Sequence, residues 1–470
     1  MLRVPVKAEI LPNHFTDKSN LQNLAEKLAD YALKIRFDDI PSEAVHEAKR
    51  RFIDSIGCAL GAFNSDAPMK SREVVRKLSR SNDCTIIGTS QKTSPDLAAF
   101  ANGVMIRYLD FNDTYLSKEA CHPSDNLSTA IALTESQRKD GRDLITALIV
   151  GYEVLCRLCD ASNIRDRGWD HVTYGNISTT LVAARLLGLT REQTVNAIAL
   201  AVTPNNALRQ TRVGELSMWK GCAFANAARN GVFASLLASE GVTGPCPIFE
   251  GEKGFERIIS GELRTNPEQW KGFKILETSI KYYSAEYHSQ AAIDAALQLR
   301  DEIKIEQIRE IKISTFKVAV QIIGGEREKW NPTSRETADH SLPYMVSVAL
   351  LDGELTPKQF TNQRIQEPQL RSLIRKVRVV SDPKLTKLYP KGIPAIVAII
   401  DQTGEKHRKR VEYPRGHHRN PMTDKEVEEK FRTLTRDRIP GEQMEAFLRK
   451  SWNLEKITDF SALMTDLIAT

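Results

Sequence analysis

Asp110, Asp113 and Asp125 fall within sixteen residues of one another with His122 between them, in the text Leu109-Asp110-Phe111-Asn112-Asp113-Thr114-Tyr115 and, after a short gap, His122-Pro123-Ser124-Asp125-Asn126. The stretch joins two apolar, helix-like runs, where a scaffold alone has little use for such residues. Asp110 and His122 are the catalytic candidates there and Thr114 a substrate-binding one. Ser124 reads as a cap of the following helix, and Asp113 as either the start of a turn or a participant. Four further segments carry reactive types. His171 lies in the bulky loop 167–175, Lys220 near the start of a small-residue helix at 218–228, and Lys281, Glu286 and His288 in 280–290. Tyr344 follows Asp339-His340-Ser341, where Asp339 reads as a cap. A lysine at a helix start opposes the helix dipole, which favours anions. Lys220 makes sense there if it and the helix N-terminus hold a carboxylate together.

Histidines, lysines, a tyrosine and acids in this mixture suit acid/base chemistry on a carboxylate-rich substrate. Removing a proton beside a carboxylate creates a dianionic, enolate-like centre that cations must neutralise. A positioned base and a positioned acid each contribute about 10²- to 10⁴-fold, so a useful rate needs both. The chain has no glycine-rich phosphate loop, no zinc-type Cys/His spacing and no Gly-x-Ser-x-Gly elbow. Nucleotide-driven, zinc and serine-hydrolase chemistries are therefore set aside.

The elements that must position these residues divide by periodicity. Apolar residues recur at helical spacing from 43 to 241, as in Val45, Ala48, Phe52, Ile53, Ile56 and Leu60, and nothing there alternates like a sheet. Gly141, Gly188 and Gly241 read as helix ends and Thr190 to Gln193 as a capping box. After the stiff Gly244-Pro245-Cys246-Pro247, strands are expected at 311–316 and 376–380, with a hairpin over 395–413 turning at Thr403-Gly404. Helical runs at 289–300 and 344–351 lie between them, and the helical tail 424–467 is expected to pack back on the first part. The fold class is mainly α with an α+β insertion: a helical domain over 1–276, an α+β lid domain over 277–420, and a helical return over 421–470.

Composition is that of a soluble globular chain. The 470 residues carry a net charge of +6, with 41% hydrophobic and 27% charged residues, and the charge is spread rather than gathered in a tail. That argues against a nucleic-acid partner and suits an anionic small molecule. The longest apolar runs fall short of a membrane span. The first twenty residues mix Arg3 and Lys7 with Glu9 and Asp17 and lack a secretory apolar core, so the cytoplasm is the expected compartment, or the mitochondrial matrix in a eukaryote. The basic run 406–410 reads as a charge-protected edge strand. Cys156-x-x-Cys159, with Cys84 or Cys121 upstream, has a spacing compatible with iron–sulfur ligation. It continues a helical run without a glycine- or proline-shaped loop, so the cysteines read as small buried hydrophobes.

Taken together, the segments resemble the MmgE/PrpD family, and within it the iron–sulfur-independent 2-methylcitrate dehydratases. The matching text is residues 51–58, 109–114 with 122–127, 217–221, Gly244-Pro245 with 249–251 and 254–255, 281–290, and 339–341 with Tyr344, spread over about 25 to 465. The resemblance implies a helical domain built from both chain ends, an inserted α+β lid, a cleft between them and a homodimer. It places Asp110, Thr114, His122, His171, Lys220, Lys281 and Tyr344 on the cleft, and it implies catalysis without metal or organic cofactor. The implied reaction removes water from the tricarboxylate 2-methylcitrate to give 2-methylaconitate, with citrate as a second substrate, in propionate catabolism. In that scheme His122 or His171 takes the proton, Asp110 fixes the imidazole tautomer, Lys220 and Lys281 neutralise carboxylates, and Tyr344 or the other histidine protonates the leaving hydroxyl. Glu286 and His288 are expected on the substrate side. The family also contains cis-aconitate decarboxylases, which form itaconate and have a histidine where this chain has Glu286. That difference, Asp125-Asn126 and a longer opening loop look like the dehydratase branch.

Overall fold

The computed structural model describes residues 22–468, so the charge pattern read at Arg3, Lys7, Glu9 and Asp17 lies outside the described residues. The first helices are α1 (Leu24–Lys34), α2 (Ser42–Gly61), α3 (Asp66–Leu78), α4 (Pro95–Tyr108), α5 (Leu127–Ser136), α6 (Gly141–Ala161), α7 (Val172–Leu187), α8 (Arg191–Val202) and α9 (Trp219–Ser239). Their start signals are local. Asn23 and Thr190 close capping boxes, Asp140 accepts from the Asp143 amide, and Pro95 opens α4. Left-handed glycines at Gly188 (φ 68°) and Gly241 (φ 86°) follow α7 and α9. Gly141 corrects the reading above, because it begins α6 instead of ending a helix. A Cβ there would lie 1.7 Å from the Leu454 carbonyl oxygen, so the C-terminal segment requires a glycine at that point.

Small residues let α4, α7 and α9 cross closely. An added Cβ on Gly231 of α9 would lie 2.4 Å from Thr179 Oγ1 of α7, and one on Gly103 of α4 would lie 2.9 Å from Ala225 Cβ of α9. This region is not purely helical, contrary to the periodicity reading. It contains two short antiparallel pairs, β1 (Cys84–Thr85) with β2 (Lys92–Thr93) and β3 (Tyr115–Leu116) with β4 (Ala120–Cys121). Two-residue strands are too short for alternation to register.

The later strands β5 (Ile308–Thr315), β6 (Val377–Ser381), β7 (Ala395–Asp401) and β8 (Lys406–Val411) form a sheet in the order β6-β5-β7-β8. Ile313 pairs with Val379 in the parallel β5–β6 ladder and with Val397 in the antiparallel β5–β7 ladder. β8 is an outer strand whose Lys406, Arg408 and Arg410 face solvent, as its charge pattern predicts. The helices α10 (Gln290–Arg300) and α11 (Leu342–Asp352) share one apolar cluster with this sheet. A second cluster joins α2, α4, α5 and α6 to the C-terminal helices α12 (Asp424–Thr435) and α13 (Gly441–Ser451), with Phe52, Phe431 and Phe447 fully buried. Burying such a side chain contributes roughly 1.5–3 kcal/mol, which holds the two chain ends as one body. No helix among the described residues is long and apolar enough to cross a membrane.

Candidate active site

The chain leaves α4 and turns sharply at Asp110, whose φ of 50° is unusual for a residue other than glycine. Cations surround its buried carboxylate: Arg107 pairs with Oδ1, Lys281 Nζ donates to Oδ1 at 2.8 Å and to the Asp110 carbonyl at 2.9 Å, and Lys220 Nζ lies 3.6 Å from Oδ2. Burial alone would raise this carboxyl, but Arg107, Lys220 and Lys281 hold it well below the usual range. A strained backbone persists where the surroundings determine it this strongly.

Asp113 resolves into a buried anchor. Its carboxylate accepts from Tyr152 Oη at 2.6 Å and from the Ser124 amide at 3.0 Å, while its carbonyl faces His122 Nδ1 at 2.7 Å. A carbonyl only accepts, which assigns the proton to Nδ1, and Arg107 Nη2 then donates to the Nε2 lone pair at 2.9 Å. Burial first, and Arg107 next, push the His122 pKa well below its ordinary value. The tautomer is therefore set by Asp113, not by Asp110 as the sequence reading has it. Ser124 does not cap α5, whose N-cap is Asn126, and its hydroxyl accepts from Asn112 instead. The Thr114 hydroxyl donates to the Cys121 carbonyl, and the Thr114 backbone exchanges two 2.9 Å bonds with Ser279.

His171 immediately precedes α7. Its Nδ1 lies 3.2 Å from Asp170 Oδ1, and the other oxygen of Asp170 accepts from Arg212 at 2.9 Å. Nε2 of His171 is buried and has no partner among the described residues, and its ring centroid lies 5.9 Å from that of His122. Burial lowers its pKa to about 3 although Asp170 opposes this.

Lys220, on the first turn of α9, holds a carboxylate as anticipated, but one that belongs to the protein. Its Nζ donates to Asp339 Oδ1 at 2.7 Å and lies 3.1 Å from His340 Nδ1. Asp339 is therefore an ion-pair partner and not a cap; Ser341 caps α11 by accepting from the Tyr344 amide. Asp110, Asp339 and His340 come close enough to share a metal ion. The Lys220 ammonium already supplies the positive charge between them, so these residues do not fit a metal.

The Lys281 ammonium is buried on Asp110, and burial lowers its pKa. Glu286 accepts from His288 Nδ1 at 2.5 Å and from the His288 amide at 2.8 Å. Tyr344 departs from the expectation. It is fully buried in the apolar cluster of the sheet domain, and its hydroxyl donates to the Gln359 carbonyl.

A cavity of about 60 Å³ brings Asp110, Thr114, His122, His171, Lys281, Glu286 and His288 together, and leaves Lys220 behind its wall and Tyr344 outside. Its wall also carries Arg107, Arg165, Arg209, Arg212 and His340, which sequence reasoning passed over. Arg107 looks like an ordinary C-terminal helix cation. The other arginines lie on two short 3₁₀ turns far apart in sequence, with Arg209-x-x-Arg212 as the one local signal. Burial, with Lys220 next, lowers the His340 pKa to about 4. The arrangement can hold several carboxylates against guanidinium and ammonium groups while neutral imidazoles exchange protons.

The chain is similar to known proteins over most of its length. Residues 26–268 match the MmgE/PrpD N-terminal domain and residues 283–454 the MmgE/PrpD C-terminal domain. A 2-methylcitrate dehydratase of Cupriavidus necator is 30% identical over 463 residues, covering 90% of this chain and 92% of that protein. The 2-methylcitrate dehydratase of Escherichia coli (strain K12) is 28% identical over 454 residues, with the same coverage of 90% and 92%. A cis-aconitate decarboxylase-like protein of Aspergillus oryzae is 25% identical over 480 residues, covering 96% of this chain and 98% of its own. On the family match across both domains, this chain belongs to the MmgE/PrpD family.

Proposed function

We propose that this chain is a hydro-lyase that dehydrates 2-methylcitrate to 2-methylaconitate, with citrate as a second substrate, by acid/base catalysis. The observation that carries the reading is a cavity in which Arg107, Arg165, Arg209, Arg212 and Lys281 surround two neutral histidines. Charge of that kind suits a tricarboxylate. The names of the relatives in Cupriavidus necator and Escherichia coli point to the same substrate.

In the proposed reaction His171 is the base. Its Nε2 is unpartnered among the described residues, and Asp170 stands behind Nδ1 to stabilise the imidazolium. It takes the proton alpha to a carboxylate, the electron pair forms the carbon–carbon double bond, and the hydroxyl leaves as water. The departing oxygen needs a proton, which His122 supplies. An incoming carboxylate draws Arg107 away from Nε2, and the substrate's negative charge raises the His122 pKa so that the ring is protonated at its side. Lys281 neutralises the developing charge directly. Lys220 acts from behind the wall by compensating Asp110 and Asp339, which replaces its expected contact with substrate. Thr114, Glu286 and His288 complete the substrate side. In this reading residues 277–420 are the lid domain, between helical portions that, among the described residues, span 22–276 and 421–468.

The test is to incubate the purified protein with 2-methylcitrate, citrate and cis-aconitate while following ultraviolet absorbance and released carbon dioxide. A new conjugated double bond from 2-methylcitrate without gas supports the reading. Gas from cis-aconitate without hydration would replace it with the decarboxylase reading, which the Aspergillus oryzae relative's name keeps in view. Leu208, Val213, Met218 and Trp219 leave large apolar side chains exposed within residues 208–219, which supports a homodimer; light scattering measures it. Propionate catabolism in the cytoplasm, or in the matrix of a eukaryote, is the matching context, and a Yarrowia lipolytica relative is named a mitochondrial 2-methylcitrate dehydratase.

A further inference from the structure

Residues 51–58 match the family text, yet none of them lies on the cavity wall. Two of them reach toward it. Asp54, buried in α2, pairs with Lys430 of α12 at 2.7 Å. Lys430 Nζ also donates to the Phe111 carbonyl at 2.7 Å and to the Lys281 carbonyl at 2.8 Å, and lies 3.7 Å from the centre of the Phe111 ring. One buried ammonium thereby ties the residue after Asp110 to the backbone of the lysine that grips Asp110. Arg51, one turn earlier on α2, donates to the Thr278 carbonyl at 2.9 Å and lies 3.6 Å from Asp113 Oδ2, which secures the same two segments from the other side.

We infer that Asp54 and Lys430 are positioning residues for the reaction: the pair fixes the left-handed turn at Asp110 and the Lys281 ammonium upon it, and so couples both chain ends to the geometry of the site. The physical reason is that neither segment can hold this arrangement alone. Asp110 sits in a disfavoured backbone region, and residues 278–281 have no regular ladder beyond the Thr114–Ser279 bridge. Two hydrogen bonds from a single Nζ fix both carbonyls in one place while the ion pair with Asp54 holds that Nζ there, and a buried lysine is well suited to that because it has three donors and no acceptor.

The inference rests on the hydro-lyase reading, and the experiment separates the two. Lys430→Met and Asp54→Asn are assayed with 2-methylcitrate well below their melting temperatures. The expected result for Lys430→Met is a fall of about 30-fold or more in kcat with KM changed by less than about threefold. The arginines that take the carboxylates are untouched, whereas Asp110 and Lys281 lose their register. Asp54→Asn keeps the lysine and should lose several-fold in kcat; it carries the test if Lys430→Met does not fold. A folded variant with parental kcat would overturn the inference, since a pair that only stabilises lowers the melting temperature and leaves kcat alone. If the parent protein itself turns over no 2-methylcitrate, the hydro-lyase reading fails. The positioning role is then decided by crystal structures of parent and variant: it stands if Asp110 leaves positive φ and Lys281 Nζ leaves its carboxylate, and falls if both are retained.

Discussion

His171 presents a lone pair that nothing else among the described residues engages, and this makes its protonation state the most telling property of the site. A buried imidazole lowered to about 3 is neutral at physiological pH, so the base should be ready without first losing a proton. In ¹⁵N NMR of the ligand-free protein its ring is expected to show no titration between about pH 8 and pH 5. Protonation near the ordinary histidine value would show that Asp170 outweighs burial at this ring, and activity would then fall as pH drops through that value. His171→Asn should reduce kcat by about 10²- to 10⁴-fold. Tyr344→Phe tests the opposite expectation. Its hydroxyl bonds to the Gln359 carbonyl away from the cavity, so the variant should keep kcat within about threefold and lose about 1–3 kcal/mol in urea denaturation through the unsatisfied carbonyl. A loss of activity as large as that of His171→Asn would return the tyrosine to the chemistry.

At the scale of elements, the site depends on where helices begin. His171 precedes α7 and Lys220 opens α9, and the two helices meet at Gly231, where a methyl group would stand 2.4 Å from Thr179 Oγ1 and 2.9 Å from the Thr180 amide. The backbone nitrogen cannot yield as a side chain could. Gly231→Ala should therefore cost about 1–3 kcal/mol of stability and lower kcat as well, because parting α7 from α9 moves His171 relative to Lys220. Unchanged denaturation and kcat would show that the crossing can relax. The α-helices and the strands of the large sheet were legible because each repeats a period over several turns or pleats. The β3–β4 hairpin was not, since Tyr115–Leu116 against Ala120–Cys121 offers one repeat at most.

For the whole molecule, the cavity between the helices and the sheet domain has room for a few waters, not for a tricarboxylate, at about 60 Å³. Substrate should enter as the two parts separate and close over it. Adding tricarballylate, a tricarboxylate with no hydroxyl to lose, is expected to slow amide hydrogen exchange in residues 284–290 and 337–341; binding without such protection would contradict closure. The sequence by itself determined the helical and strand periods, the cap at Thr190, the family resemblance, and the polar segments from which a site could be assembled, because these depend on residue types at short spacing. Only the tertiary structure decided which groups meet. Asp113, not Asp110, fixes His122, Lys220 serves two carboxylates of the protein, Tyr344 stays in the core, and arginines from separate turns join the wall. Those outcomes rest on side-chain directions and on contacts such as Lys430 with Lys281, 149 residues apart, and a linear spacing contains neither.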